Sequence, residues 1–254
     1  MNLLNNNVSQ GLLLDTTKDS DSIGTNYVFV IAQGRSGSTL LLRILNSIDG
    51  YNICGENYGA TKFLSQFYKS IIETYETTPK DDGNFLSYNE ISSMEQTKKH
   101  LSGFEFYNVF QLSVIEDQLR SLILKMLNPE GQFKVCGFKE IRFGSDGVSQ
   151  KFWKFKVELD FLKKMFPTSK FIFLTRDIEQ VVKSSWWAKN PDRSRTILKR
   201  QKDCFDKYAL QYPDFTFSIR YSDLLSSTSR LQEMYDFLGE DFDLNTYNQI
   251  MSRR

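Results

Sequence analysis

The chain has 254 residues, 32 Lys/Arg against 31 Asp/Glu for a net charge of +1, with 40% hydrophobic and 25% charged residues. That length suits one large α/β domain, and the composition is that of an ordinary globular protein, neither disordered nor fibrous. No apolar run approaches the roughly 20 residues needed to cross a bilayer, so no membrane span is expected.

Residues 1–25 read as a polar tail or arm ahead of a domain over 26–254. No basic residue precedes the apolar residues of this stretch, so it does not resemble a secretory signal. The three cysteines, Cys54, Cys136 and Cys204, are odd in number and widely spaced. They predict free thiols and a cytoplasmic protein rather than a disulfide framework or a metal site.

Apolar and aromatic runs predict strands at 27–32 (YVFVIA), 133–138 (FKVCGF), 170–175 (KFIFLT) and 215–220 (FTFSIR), with a shorter one at 52–55 (NICG). Such continuous runs suit strands covered on both faces. Helices are expected at 38–48, 58–77, 108–127, 153–166, 177–188, 193–211 and 228–238. In 153–166, Phe155, Leu159, Leu162 and Phe166 fall on one stripe. The stretch 78–107 reads as a lid or insertion. Alternating strands and helices predict an α/β fold, a mainly parallel central sheet flanked by helices in one domain.

Charge is uneven. Residues 151–202 hold 14 Lys/Arg against 5 Asp/Glu. This is either a set of solvated helix faces or a surface that meets a polyanion. No zinc-finger or RNA-recognition spacing points to nucleic acid.

The most informative stretch is "AQGRSGSTLLLRIL", 32–45, between a predicted strand and a predicted helix. Small residues there gather backbone N–H groups and a helix N-terminus at one point, which makes an anion site. The loop of ATP- and GTP-binding proteins needs G-x-x-x-x-G-K-[ST]. Here Gly34 and Gly37 are three apart, Ser38 stands where the lysine would be, and Arg35 offers a planar fork for an anion. The loop alone says phosphate without saying which one. A second stretch, "FIFLTRDIEQVVKSSWW", 171–187, delivers Arg176 at the C-terminal end of a buried strand, with Ser184 eight residues on. In open α/β sheets ligands gather at strand C-terminal ends, so both stretches should face one crevice.

Together, "GRSGSTLL" and "LTRDIEQVVKSSWW" resemble the two cofactor motifs of the sulfotransferases, which use 3′-phosphoadenosine-5′-phosphosulfate (PAPS) and release the 3′,5′-bisphosphate PAP. The resemblance implies a P-loop NTPase-like sulfotransferase fold. It implies that Arg35, Ser36, Gly37, Ser38 and Thr39 hold the 5′-phosphosulfate, and Arg176 and Ser184 the 3′-phosphate. "SIRYSDLL", 218–225, is similar to a late element of the family in which Tyr221 would contact the cofactor; the other reading is a tyrosine packed at a strand end with Asp223 capping a helix. A further basic cofactor loop of the family has no clear counterpart, and Arg193, Arg195, Lys199 and Arg200 are candidates to replace it.

Sulfuryl transfer needs a base for the acceptor, a stabilised leaving oxygen, and cations or N–H groups around the sulfuryl oxygens. No metal is required if lysine and arginine supply the charge. "CGEN", 54–57, is similar to the tyrosylprotein sulfotransferase branch, where a glutamate after Cys-Gly is the base. That implies Glu56 as general base here, although the branch's following acidic residue is Asn57 in this chain. A carboxylate near pKa 4.3 is a weak base for an alcohol, and burial that raises its pKa would help. His100, in "QTKKHLSG", is the alternative base by analogy with cytosolic steroid and phenol sulfotransferases. In "KVCGFKEIRF", 134–143, the resemblance implies that Lys139 touches the sulfuryl group, with Arg35 as a second cation. Glu140 and Arg142 either shape the acceptor pocket or pair on the surface.

Two readings compete with a sulfotransferase. One is a P-loop kinase, for which a loop lysine and a magnesium-holding aspartate are not evident. The other is a non-catalytic nucleotide- or polyanion-binding module. The expected acceptor is a small molecule or a glycan, with aromatic residues in 58–110 as candidate pocket lining. Oxygen and nitrogen acceptors both stay open, and so does the oligomeric state.

Overall fold

Alternation along the first strand, β1 (Asn26–Ala32), divides the core in two. Tyr27, Phe29 and Ile31 enter one buried cluster, Val28, Val30 and Ala32 the other. β4 (Lys170–Thr175), named by its place in the chain, repeats the division. Its Phe171 and Phe173 join the first cluster and its Ile172 and Leu174 the second. One face of the sheet is therefore mainly aromatic and the other aliphatic, as period-two alternation in a strand covered on both sides requires.

The computed structural model describes residues 26–76, 112–143 and 151–253. The tail 1–25, the segment 78–107 and His100 lie outside the described residues. After β1 come α1 (Ser38–Leu45), β2 (Tyr51–Cys54), α2 (Ala60–Glu76), α3 (Leu112–Leu127), β3 (Val135–Glu140) and α4 (Phe152–Met165), which precedes β4. Then follow α5 (Ile178–Val182), a 3₁₀ turn (Ser185–Lys189), α6 (Pro191–Gln211), β5 (Thr216–Arg220), α7 (Tyr221–Ser226), α8 (Thr228–Leu238) and α9 (Leu244–Ser252).

The five strands form one sheet in the order β2-β3-β1-β4-β5, and every pairing is parallel. The aromatic face is covered by α3, α4 and α6; the predicted stripe Phe155, Leu159, Leu162 and Phe166 is fully buried there, and Phe173 stacks on Phe205 at 5.1 Å. The aliphatic face is covered by α1, α8 and α9. No helix among the described residues is long and apolar enough to cross a membrane.

Two boundaries differ from expectation in ways that bear on the site. The third strand begins and ends two residues later than its apolar run suggests, because its pairing with β1 starts at Val135 opposite Asn26. Lys139 and Glu140 therefore lie inside the strand rather than beyond it. The helix expected over 177–188 ends at Val182; Ser184 is extended and Ser185 has φ 54°, so the chain turns before the two tryptophans.

Candidate active site

All five strands run parallel, so their C-terminal ends share one edge of the sheet. β1 sits between β3 and β4, where the strand order reverses, and the crevice of such a sheet opens at that point. The loop 33–37 leaves β1 there. Gln33 anchors it: its buried amide donates to the Leu198 carbonyl at 2.8 Å and its Oε1 accepts from Arg176 N–H at 3.4 Å. Trp187 Nε1 donates to the Gly34 carbonyl at 3.1 Å. A Cβ on Gly34 would stand 3.0 Å from the Trp186 ring.

Arg35 (φ 67°) and Gly37 (φ 89°) are both left-handed. Alternation of hand along a loop is the backbone pattern that can turn successive N–H groups toward one concave face, as in anion-binding nests. Within the loop Ser36 N–H donates to Gln33 O at 3.2 Å. Among the described residues no carbonyl accepts from the backbone N–H of Gly34, Arg35, Gly37, Ser38 or Thr39. Ser36 Oγ is buried and has no hydrogen-bond partner there. Open donors and an orphaned buried hydroxyl in a curled loop at a helix N-terminus fit a phosphate or sulfate group.

Arg35 Nε donates to Ser184 Oγ at 3.1 Å. Arg176 Nη1 donates to the Arg35 carbonyl at 3.5 Å, and its Nε donates to Gln180 at 3.1 Å. The Arg176 guanidinium lies 4.4 Å from the centre of the Tyr221 ring. Tyr221 in turn packs so closely on Gly37 that a Cβ there would meet the ring at 2.2 Å. Arg35, Gly37, Arg176, Ser184 and Tyr221 thus converge from the ends of β1, β4 and β5. Ser184 arrives through a break in the helix, not along it as expected. Asp223 accepts from Arg220 N–H at 2.9 Å, so the packing and capping expected of the "RYSD" stretch is present as well. Arg195, a candidate for the missing basic loop, is held by Glu179 and Asp192.

On the other side of β1, Lys139 Nζ donates to Glu56 Oε1 at 2.5 Å and Arg142 Nη1 to Glu56 Oε2 at 2.7 Å. Burial pushes the Glu56 carboxyl up, but the hydrogen bonds and charges of Lys139 and Arg142 outweigh it and hold the group below its ordinary value. This corrects the sequence-based expectation of a carboxylate helped by a raised pKa. The partners come from the end of β3, which no local pattern around Glu56 reveals.

Glu140 and Arg142 are not a surface pair. Glu140 is fully buried. Its Oε1 accepts from Ile141 N–H, Arg142 N–H and Arg142 Nη1 at 2.9, 3.1 and 2.9 Å; its Oε2 accepts from Gly59 N–H at 2.9 Å. Arg142 also lies 4.7 Å from the Tyr58 ring centre. Of the candidate pocket aromatics, Tyr68 is in the core, whereas Tyr58, Phe63 and Phe67 are exposed; Phe104, Phe106 and Tyr107 lie outside the described residues. The anchor role of Glu140 was missed, and its only sequence signal is a carboxylate at the end of an apolar strand. The two halves of the site adjoin, since Ile141 lies 3.5 Å from where a Gly34 Cβ would be.

A parallel sheet with a curled, glycine-containing loop at its switch point defines an α/β protein with a phosphate-loop-like fold. Residues 27–243 match the sequence model of the sulfotransferase family, and the chain belongs to that family. Its fold is similar to that of the sulfotransferase domain of an olefin synthase from Synechococcus PCC 7002, with 16% identity, TM-score 0.53, and 87% of this chain and 75% of that one covered. The sulfotransferase domain from the curacin biosynthetic pathway aligns at 16% identity and TM-score 0.46, over 89% and 77% of the two chains. A Mycobacterium tuberculosis sulfotransferase aligns at 13% identity and TM-score 0.44, over 90% and 71%. No curated protein sequence matches the chain.

Proposed function

We propose that this sulfotransferase takes its sulfuryl group from PAPS and passes it to a hydroxyl or amine of a small-molecule or carbohydrate acceptor, with Glu56 as general base. One observation carries the reading: the loop 33–39 with Arg35, Arg176 and Ser184 lies on the same sheet edge as the Glu56–Lys139 pair. An anion cradle beside a carboxylate and a lysine is what acceptor deprotonation and charge neutralisation together need.

PAPS would supply an activated sulfuryl group on an anionic leaving group. The open N–H groups of 34–39 and the Ser36 hydroxyl would hold the 5′ end, and Arg176, with Ser184 and Tyr221 beside it, the 3′-phosphate. Arg35 and Lys139 meet negative charge at the reacting end. Glu56, ionised at neutral pH, accepts the acceptor's proton late, as the new bond forms. The three cysteines stand as free thiols, which supports a reducing, cytoplasmic setting.

A thermal melt tests the donor class. PAP at 100 times its Kd should add about 2.7 kcal/mol, or roughly 5–10 °C in Tm for a chain of this size. AMP should do much less and Mg-ATP nothing comparable. A shift with Mg-ATP and none with PAP would overturn the reading.

A further inference from the structure

Lys139 has two uses in this site. It pairs with Glu56, and the proposed reaction asks it to face the sulfuryl group. A lysine ammonium is a point charge on a flexible stem, and among the described residues Glu56 is the only hydrogen-bond partner of Lys139 Nζ. When Lys139 turns to the donor, Glu56 loses one of its two cations. Burial then favours the neutral acid, which has no capacity to accept a proton.

Arg142 is held differently. Its Nη1 bridges Glu56 Oε2 and Glu140 Oε1. Its own backbone N–H is bound by the same Glu140 oxygen. Glu140 is fixed in turn by Ile141 N–H and Gly59 N–H, which ties the end of β3 to the loop carrying Glu56. The Tyr58 ring packs against the guanidinium. Arg142 is therefore anchored from behind, in a place that does not depend on Lys139.

We propose that Arg142, anchored by the buried carboxylate of Glu140, is a positioning residue that keeps Glu56 charged and aimed while Lys139 is engaged with the donor. This rests on the reading of Glu56 as the base. Among the described residues, the charged groups facing Glu56 are Lys139 from β3 and Arg142 from the turn that follows it, with Glu140, the last residue of β3, on the far side of Arg142. Lys139→Met mimics the state in which the lysine has turned away.

The test is a carbon-13 NMR titration of the Glu56 side-chain carboxyl in the full chain, its signal assigned by its loss in Glu56→Gln. In K139M the midpoint should remain below the ordinary glutamate value of about 4.3. Adding R142M should raise it by about one unit or more, whereas adding R142K should keep it near that of K139M. The charge-retaining variant keeps the experiment open if the methionine one does not fold. If K139M alone already titrates above the ordinary value, or R142M leaves the midpoint unmoved, the positioning role is overturned. The titration needs neither donor nor acceptor, so its outcome is separate from that of the PAP melt.

Discussion

Arg176 shows how one residue ties the site together. It donates to the Arg35 carbonyl, lies over the Tyr221 ring and directly follows β4 beside the loop 33–37. If its guanidinium reads the 3′-phosphate, Arg176→Ala should weaken PAP by roughly 10–100-fold, the loss of a hydrogen bond to a charged group worth about 1.5–3 kcal/mol. Binding of AMP, which lacks that phosphate, should change by no more than about threefold. Isothermal titration of both ligands decides it: equal weakening would mean that Arg176 only supports the loop. Arg35, Glu56, Lys139 and Arg176 were all legible as candidates, because short motifs at strand ends carry them. Glu140 was not. Its partner Gly59 is 81 positions away, and only the tertiary fold brings that N–H to it.

Between elements, the pairing of α2 with α4 buries a second acidic group. Glu158 of α4 is 4% exposed. Its Oε1 is 4.0 Å from Lys62 Nζ, and its Oε2 has no partner among the described residues. Burial pushes its carboxyl up to about 7, with Lys62 opposing and Glu140 adding. A folded pKa above the unfolded one means that the folded state prefers the protonated acid. That preference is complete below about pH 4.3 and is lost as pH rises through the folded value. The Tm of the unchanged chain should therefore fall between pH 5 and 8, and Glu158→Gln should flatten that fall, by roughly 3 kcal/mol at most. Parallel Tm–pH curves for the two proteins would refute the assignment. Helix boundaries show a related limit of the sequence. The strong stripe of α4 was legible to within one residue. The helix α9 was missed, because its apolar face is narrow: Tyr247 is its only buried residue. Asp243, which caps it by accepting from Asn245 N–H at 2.8 Å, was the available signal.

Across the whole molecule, alternating elements made a parallel sheet legible, but not the order of its strands. β1 pairs with β3 and β4, segments that begin more than 100 residues later in the chain, and continuous apolar runs look alike wherever they pair. The close approach of β1 and β3 decides where Lys139 and Glu140 stand relative to the anion loop. Gly137 lies opposite Val28, and a Cβ on it would fall 1.8 Å from the Val28 carbonyl oxygen. No side-chain rotation relieves that overlap, because both partners are backbone in the middle of the sheet. Gly137→Ala should therefore part the two strands. It should cost more than about 3 kcal/mol, lowering Tm by at least about 6 °C, and remove the PAP-induced shift in the protein that still folds. Gly55→Ala is the matched control. Gly55 precedes Glu56, has nothing within 4 Å of its added Cβ and does not have positive φ, so its Tm should stay within about 2 °C, since surface changes of this kind cost roughly 0.5 kcal/mol or less. If Gly137→Ala melted like the Gly55 variant, β1 and β3 would not be in the register that joins the two halves of the site.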